Sequence, residues 1–138
     1  MAPEDASRIA IESDADVVAA RQRARELAAD LDLSSTDQTL LATAISEVAR
    51  NITTYAKRGE VVLSIVRDNG GREGIRVVAR DRGPGIENLD LAMQDGYTSG
   101  GGLGLGLPGA RRLVDEFAIE TGPSEGTTVT LVKWSRAR

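Results

Sequence analysis

Residues 61–85 read VVLSIVRDNGGREGIRVVARDRGPG, two runs rich in valine and isoleucine on either side of a turn. The runs at 61–66 and 75–78 carry the β-branched residues that favour strands. The sequence DNGG at 68–71 between them is typical of the tight turn in a β-hairpin. We therefore predict an antiparallel hairpin whose second strand leads into the loop DRGPG at 81–85.

The segments around this hairpin predict a layered fold. The predicted elements are, in order, a strand at 8–12, helices at 14–31 and 34–57, the hairpin, helices near 89–94 and from Pro108 to about 117, and strands near 118–121 and 127–134. This order implies helices packed on one face of a mixed, largely antiparallel sheet. The predicted fold class is an α+β two-layer sandwich.

Apolar residues at helical spacing define the buried face of each of the two long helices. The first helix has Val17, Val18, Arg21, Ala24, Ala28 and Leu31 at spacings of three and four, and the second has Leu41, Ala44, Ile45, Val48, Ile52 and Tyr55. Ser35 followed by Gln38 resembles a capping box, so we expect the second helix to begin there. Because aromatic residues are only 3% of the chain, its core should be aliphatic.

Composition excludes several kinds of site. The chain has 138 residues, 41% of them hydrophobic and 28% charged, which fits one soluble domain over 1–138. With no cysteine and no histidine, it lacks a thiolate metal site, an imidazole base and a histidine phosphoacceptor. A net charge of −4 argues against nucleic-acid binding. The lack of a long apolar run or a signal-peptide pattern predicts a cytoplasmic protein that makes no use of the membrane.

A carboxylate ends the apolar row of the second hairpin strand. Alternation places Asp81 on the same face as Ile75, Val77 and Ala79. An ionised group that faces a core needs a partner, and the exocyclic amine of adenine is one. The alternative is a turn aspartate that bonds its own backbone in the sequence Asp-x-Gly-x-Gly.

A pair of polar residues lies on the predicted helix 34–57. Glu47 and Asn51 are four residues apart, so they lie within about 40° of each other around the helix. Their oxygens could hold Mg²⁺ and orient an attacking hydroxyl. The alternative is two polar residues that merely border a buried stripe.

The run GGGLGLG at 100–106 has too many glycines for a regular helix or strand. Its backbone N–H groups could converge on phosphate oxygens, assisted by the N-terminus of the helix predicted from Pro108. It is not a Walker A loop, because no Gly-Lys-Ser/Thr follows. The alternative is a flexible loop, although leucines at regular intervals are unusual in a linker.

These motifs, in this order, resemble the Bergerat-type ATP-binding fold of the GHKL superfamily, shared by gyrase, a heat-shock chaperone, histidine kinases and mismatch-repair ATPases. Residues 47–51 (EVARN) match its N box, 81–85 (DRGPG) its first glycine box and 102–107 (GLGLGL) its second. The resemblance implies that Asn51 coordinates Mg²⁺ and that Asp81 accepts a hydrogen bond from adenine.

The resemblance also implies roles for the remaining residues of the ATP site. Thr127 would support Asp81 through a water, and Gly83 and Gly85 would let the base approach the backbone. The residues that would wrap the phosphates are Gly101, Gly102, Leu103, Gly104, Leu105 and Gly106.

Within this superfamily the chain resembles the anti-sigma-factor-type serine/threonine kinases, and most of all the stressosome switch kinases. The segments that carry this resemblance are VVAARQ at 17–22, ATAISE at 42–47, DGY at 95–97, LPG at 107–109 and LVDEF at 113–117. The chain departs from the pattern at Gly100, where serine is common, and at Leu105, where a small residue is common.

This resemblance implies that Glu47 is the general base of a serine/threonine kinase. Such kinases phosphorylate STAS-domain scaffold or antagonist proteins and then engage a PP2C-type phosphatase or another output protein. Two alternatives retain the ATP site: an anti-sigma factor that sequesters a sigma factor, and an ATP-gated binding module with little catalysis. A third is a small α/β domain that binds no nucleotide.

Overall fold

The computed structural model describes residues 6–83, 106–122 and 126–135. Their elements are β1 (Ser7–Ile11), α1 (Asp14–Ala29), α2 (Ser35–Tyr55), β2 (Gly59–Arg67), β3 (Glu73–Asp81), α3 (Gly106–Leu113), β4 (Glu116–Gly122) and β5 (Gly126–Trp134). The strands form one five-stranded sheet in the order β1-β2-β3-β5-β4. Every pair of neighbouring strands in it is antiparallel, where the sequence had allowed a mixed sheet. The predicted α+β layering is confirmed.

The predicted hairpin forms the middle of this sheet. β2 and β3 pair from Arg67↔Glu73 at the turn to Gly59↔Asp81 at the open end. In the turn, the Asp68 carboxylate accepts from the backbone N–H of Arg72 at 2.8 Å and of Gly70 at 2.9 Å. The hydrogen bond from the Arg72 backbone is the largest of several contacts that lower the pKa of this carboxyl.

The core lies between the sheet and the helices, and its buried side chains are aliphatic, as predicted. Five of the six residues predicted for the buried face of α2 are buried: Leu41, Ala44, Ile45, Val48 and Ile52. The prediction was wrong for Tyr55, which is the last residue of α2 and is 45% exposed. It was also wrong for Val18, which is 52% exposed. Val17, Ala20 and Ala24 face the core, and Val18 points about 100° away from Val17 around the helix.

The predicted capping box at the start of α2 was wrong by one residue. Ser34 is the N-cap, and its hydroxyl accepts from the backbone N–H of Asp37 at 3.0 Å. The side chain of Gln38 instead donates to the carbonyl of Leu33 at 2.9 Å. Ser34 and Ser35 are both of a residue type that caps helices, and the extended backbone at Ser34 makes it the cap.

The end of α3 was also predicted wrongly. The helix ends at Leu113 rather than near 117, and β4 already begins at Glu116. Contacts with β5 account for the difference, because Asp115 donates its N–H to the carbonyl of Val132 at 2.9 Å and accepts from the N–H of Trp134 at 2.7 Å. These contacts are long-range, so helical periodicity could not reveal them.

The helix predicted near 89–94 lies outside the described residues. Within residues 6–83, 106–122 and 126–135, no helix is long and apolar enough to cross a membrane.

Candidate nucleotide-binding site

Asp81 is the last residue of β3 and is buried, as the strand alternation predicted. Its Oδ1 accepts from the backbone N–H of Gly83 at 2.9 Å and of Thr127 at 3.3 Å. The bond to Gly83 is the local turn contact that the sequence offered as the alternative to a ligand-binding role for Asp81. Because both of these bonds use Oδ1, the turn contact does not by itself exclude a ligand on Oδ2.

Gly83 places the loop after β3 against the C-terminal end of α2. A Cβ on Gly83 would come within 2.7 Å of the Cβ of Ala56, the C-cap residue of α2. Real side chains do not approach so closely, so this contact requires glycine. The end of α2 thus determines where the backbone next to Asp81 lies.

Thr127 approaches Asp81 from the neighbouring strand β5. Its hydroxyl lies 3.0 Å from the hydroxyl of Thr121 on β4 and is buried between the strands. Gly126, just before it, has φ of +79°, and a Cβ there would overlap the carbonyl oxygen of Asp81. Only glycine allows both this backbone conformation and this close approach. Gly126 therefore makes the contact between Thr127 and Asp81 feasible.

Glu47 lies on α2, and its carboxylate is held at both oxygens. Oε1 accepts from the backbone N–H of Gly106 at 2.8 Å, and Oε2 lies 2.9 Å from Nη1 of Arg50. The side chain of Glu47 is only 8% exposed, whereas that of Arg50 is 52% exposed. A carboxylate so nearly buried depends on such partners.

Gly106 is the first residue of α3, with φ of +66°. Helix N-termini present free N–H groups and a partial positive charge, and they attract anions. In this chain the Glu47 carboxylate is the anion at that N-terminus. The site predicted for phosphate and the predicted base therefore meet at one N–H group.

Asn51 lies one helical turn after Glu47 and is half-buried. In the part of the chain that the structure describes, no group of three or more acidic, histidine or cysteine residues could hold a metal ion alone. Mg²⁺ usually takes one or two protein oxygens and completes its shell with phosphate and water. The amide oxygen of Asn51 fits that incomplete protein share.

The described site residues form two groups joined by α2. Glu47, Asn51 and Gly106 form one group, and Asp81, Gly83 and Thr127 form the other next to Ala56. Glu47 and Ala56 are nine residues apart, about 13 Å along a helix. The remaining predicted site residues, Gly85, Gly101, Gly102, Leu103, Gly104 and Leu105, lie outside the described residues.

Sequence reasoning singled out neither Arg50 nor Gly126 as a site residue, although both lie inside or beside quoted motifs. The spacing Glu47 to Arg50 is i,i+3, which favours an ion pair on a helix and could have indicated the contact. Gly126 stands before Thr127 in the last of the nucleotide-site motifs, but its position there did not indicate that it lies against the carbonyl of Asp81.

Comparison with known proteins identifies the family. Residues 11–133 match the family model described as the histidine kinase-like ATPase domain. The chain is 44% identical to the serine/threonine-protein kinase RsbT of Bacillus subtilis over 132 residues, 96% of this chain and 98% of that protein. It is 32% identical to the anti-sigma F factor of Clostridium kluyveri over 118 residues, 83% of this chain and 82% of that protein.

Solved structures agree on the fold. A structure of the RsbU and RsbW domains of a Mycobacterium tuberculosis protein covers 99% of this chain with a TM-score of 0.66 and 24% identity, and the chain spans 34% of its length. The mycobacterial sensor histidine kinase MprB covers 96% of this chain with a TM-score of 0.53 and 18% identity. By the family model and the 44% identity to RsbT, the chain belongs to the histidine kinase-like ATPase family, in which it is an ATP-binding serine/threonine protein kinase of the same group as RsbT.

Proposed function

We propose that this kinase uses Mg-ATP to phosphorylate serine or threonine on STAS-domain scaffold or antagonist proteins, and that it then engages a PP2C-type phosphatase or another output protein. The observation that carries the proposal is the Glu47 carboxylate on the first N–H of α3, 2.8 Å from the nitrogen of Gly106. This contact supports the proposal because it brings a carboxylate, the proposed base, to the point where a phosphate would meet the helix N-terminus.

The adenine would lie at the other end of the site. Asp81 Oδ2 would accept from the adenine amine, while Oδ1 stays bonded to the backbone of Gly83 and Thr127. Gly83 and Gly85 would let the base approach the backbone, and Thr127 would support Asp81 through a water. A nucleoside triphosphate extended along α2 would then reach from Asp81 to Asn51 and Glu47.

The phosphates would be held by the backbone of the glycine-rich run. Gly101, Gly102, Leu103, Gly104, Leu105 and Gly106 would supply N–H donors, and the N-terminus of α3 would add its positive end. Asn51 would hold Mg²⁺ by its amide oxygen, and the ion would neutralise phosphate charge. Glu47 would accept the proton of the attacking serine or threonine hydroxyl.

Phosphoryl transfer to a hydroxyl depends mainly on positioning and charge neutralisation, so one carboxylate base is sufficient. The chain contains no histidine, so neither the base nor an acceptor on this chain can be an imidazole. ATP as the phosphoryl donor fits a cytoplasmic location.

The test uses purified kinase, Mg-ATP labelled at the γ-phosphate and purified STAS-domain proteins from the same organism. We expect label on serine or threonine of a STAS protein, located by mass spectrometry. Glu47→Gln keeps the shape of the side chain and an acceptor for Gly106, and should slow transfer about 10²–10⁴-fold. Glu73→Gln, a surface carboxylate paired with Arg67, is the matched control and should leave the rate unchanged. Full activity of Glu47→Gln would remove Glu47 from the role of base.

The second candidate is an anti-sigma factor, favoured by the 32% identity to an anti-sigma F factor. Here ATP would order the protein for binding a sigma factor, with or without catalysis. ATP-dependent binding of a sigma factor, with every STAS protein left unmodified, would support this candidate over the first.

A further inference from the structure

We propose that Arg50 is a positioning residue for the Glu47 base: it holds the carboxylate in place beside the N-terminus of α3. This inference rests on the proposed function, because it takes Glu47 to be the base. It goes further by assigning the arrangement of that base to a residue that touches neither nucleotide nor acceptor.

The Glu47 carboxylate is held from two sides. Its carboxylate has one partner on each oxygen, Gly106 N–H on Oε1 and Arg50 on Oε2. The two partners come from different parts of the fold, since Arg50 is on the same helix and Gly106 is 59 residues away. Together they fix both the position of the carboxylate and its rotation about the last side-chain bond.

The two partners of Glu47 differ in whether they can hold the base during the reaction. The N–H of Gly106 is among those that the phosphates would use, so it cannot be reserved for Glu47. Arg50 is 52% exposed and lies one turn along α2, so its contact does not depend on the nucleotide. Arg50 is therefore the partner that can hold the carboxylate in the same place before and after ATP binds.

Positioning by Arg50 can be measured apart from stability. Only the Arg50 end of the ion pair is exposed, and the nearly buried Glu47 carboxylate keeps the N–H of Gly106 as a partner when Arg50 is removed. Loss of Arg50 should therefore cost some stability without unfolding the protein, which thermal unfolding of Arg50→Ala checks. The rate is far more sensitive, since a misplacement of about 1 Å can cost about 10²-fold.

The expected results separate kcat from nucleotide affinity. Arg50→Ala should lower the single-turnover rate at saturating ATP roughly 10- to 100-fold, with ATP affinity changed less than about twofold. Arg50→Lys should restore part of the rate, because an ammonium can still reach Oε2. In a Glu47→Gln background, Arg50→Ala should have almost no further effect on the rate, since Arg50 acts through Glu47.

A spectroscopic readout is independent of activity. The amide proton of Gly106 donates to a carboxylate, so its NMR resonance should report on that contact. In the protein without nucleotide, Glu47→Ala should shift this resonance strongly upfield, and Arg50→Ala should shift it part of the way. Arg23→Ala is the matched control, because Arg23 also pairs with a glutamate at i,i+3 spacing, on α1. It should leave both the rate and the Gly106 resonance unchanged.

Four outcomes would overturn the assignment. An unchanged rate and an unchanged Gly106 resonance in Arg50→Ala would show that Arg50 does not position the Glu47 carboxylate. An equal loss of rate in the wild-type and Glu47→Gln backgrounds would show that Arg50 acts on ATP or acceptor directly. Full activity of Glu47→Gln would show that Glu47 is not the base. It would then contradict both the role of Arg50 and the part of the proposed function that concerns Glu47. Loss of activity in Glu47→Gln with full activity in Arg50→Ala would overturn only the role of Arg50.

Discussion

At the scale of single residues, the site relies on carboxylates whose two oxygens do different things. Oδ1 of Asp81 accepts from the backbone of Gly83 and of Thr127, whereas Oδ2 would accept from the proposed adenine. Glu47 uses Oε1 for the N–H of Gly106 and Oε2 for Arg50. A turn residue and a ligand-binding residue are therefore not exclusive readings of one aspartate, although the sequence presents them as alternatives.

Asp81→Asn should change which purine the site prefers. The amide oxygen can take the place of Oδ1 and keep both backbone bonds, whereas the NH₂ group would then meet the adenine amine, donor against donor. An unpaired polar group of this kind costs about 1–3 kcal/mol, so ATP affinity should fall roughly 10- to 100-fold. The same NH₂ group can donate to O6 of guanine, so GTP affinity should rise relative to ATP.

Isothermal titration with ATP and GTP tests this change in preference. Asp68→Asn is the matched control, because Asp68 also accepts two backbone N–H groups but lies in the exposed hairpin turn. It should leave both affinities unchanged. Unaltered ATP binding by a folded Asp81→Asn protein would show that Asp81 does not contact adenine.

At the scale of elements, α2 organises the site because its N-terminus, its middle and its C-terminus each make a different contact. Ser34 caps its first turn, Glu47 reaches α3, and Ala56 supports the loop at Gly83. One helix therefore connects the capped first turn with both groups of site residues.

Ser34→Ala should lower the free energy of unfolding by about 1 kcal/mol, because it removes the acceptor for the N–H of Asp37. Ser35→Ala, one residue later, should change it by less than about 0.5 kcal/mol. Urea denaturation of the two variants measures the difference. A larger loss for Ser35→Ala than for Ser34→Ala would mean that the helix begins one residue later than the structure shows.

At the scale of the whole molecule, a buried ion pair connects three elements that carry the site. Nζ of Lys133 on β5 lies 3.6 Å from Oδ1 of Asp37 in the first turn of α2, and both side chains are almost fully buried. The same Nζ donates to the carbonyl of Leu113, the last residue of α3, at 3.1 Å. The sheet therefore holds the start of α2 and the end of α3 together.

Lys133→Met should lower the free energy of unfolding by about 3 kcal/mol, since it leaves Asp37 charged in the interior without this partner. Arg67→Met is the control, because its ion pair with Glu73 is exposed and should contribute less than about 1 kcal/mol. The double variant Lys133→Met/Asp37→Leu should recover part of the loss. A cost for Lys133→Met no larger than that of Arg67→Met would show that the buried pair does not hold these elements.

The features of the fold and the site that the sequence predicted are those that depend on short-range interactions. The hairpin, the burial of Asp81 and most of the buried face of α2 depend on periodicity and turn chemistry, which act over a few residues, and all were predicted. The choice between Ser34 and Ser35 and the end of α3 depend on backbone contacts that periodicity does not encode. Glu47 and Asn51 were correctly placed on one face of α2, but the partners of Glu47 could not be read from spacing alone.

The sequence by itself therefore determined the order of the elements, the residues that carry the nucleotide motifs and the absence of any histidine or cysteine chemistry. Only the tertiary structure decided that the N–H of Gly106, 59 residues beyond Glu47, meets that carboxylate. It alone decided that Gly126 lies against the carbonyl of Asp81. Local preferences are set by each residue and its neighbours, whereas contacts between distant segments exist only once the sheet and helices have packed and excluded water.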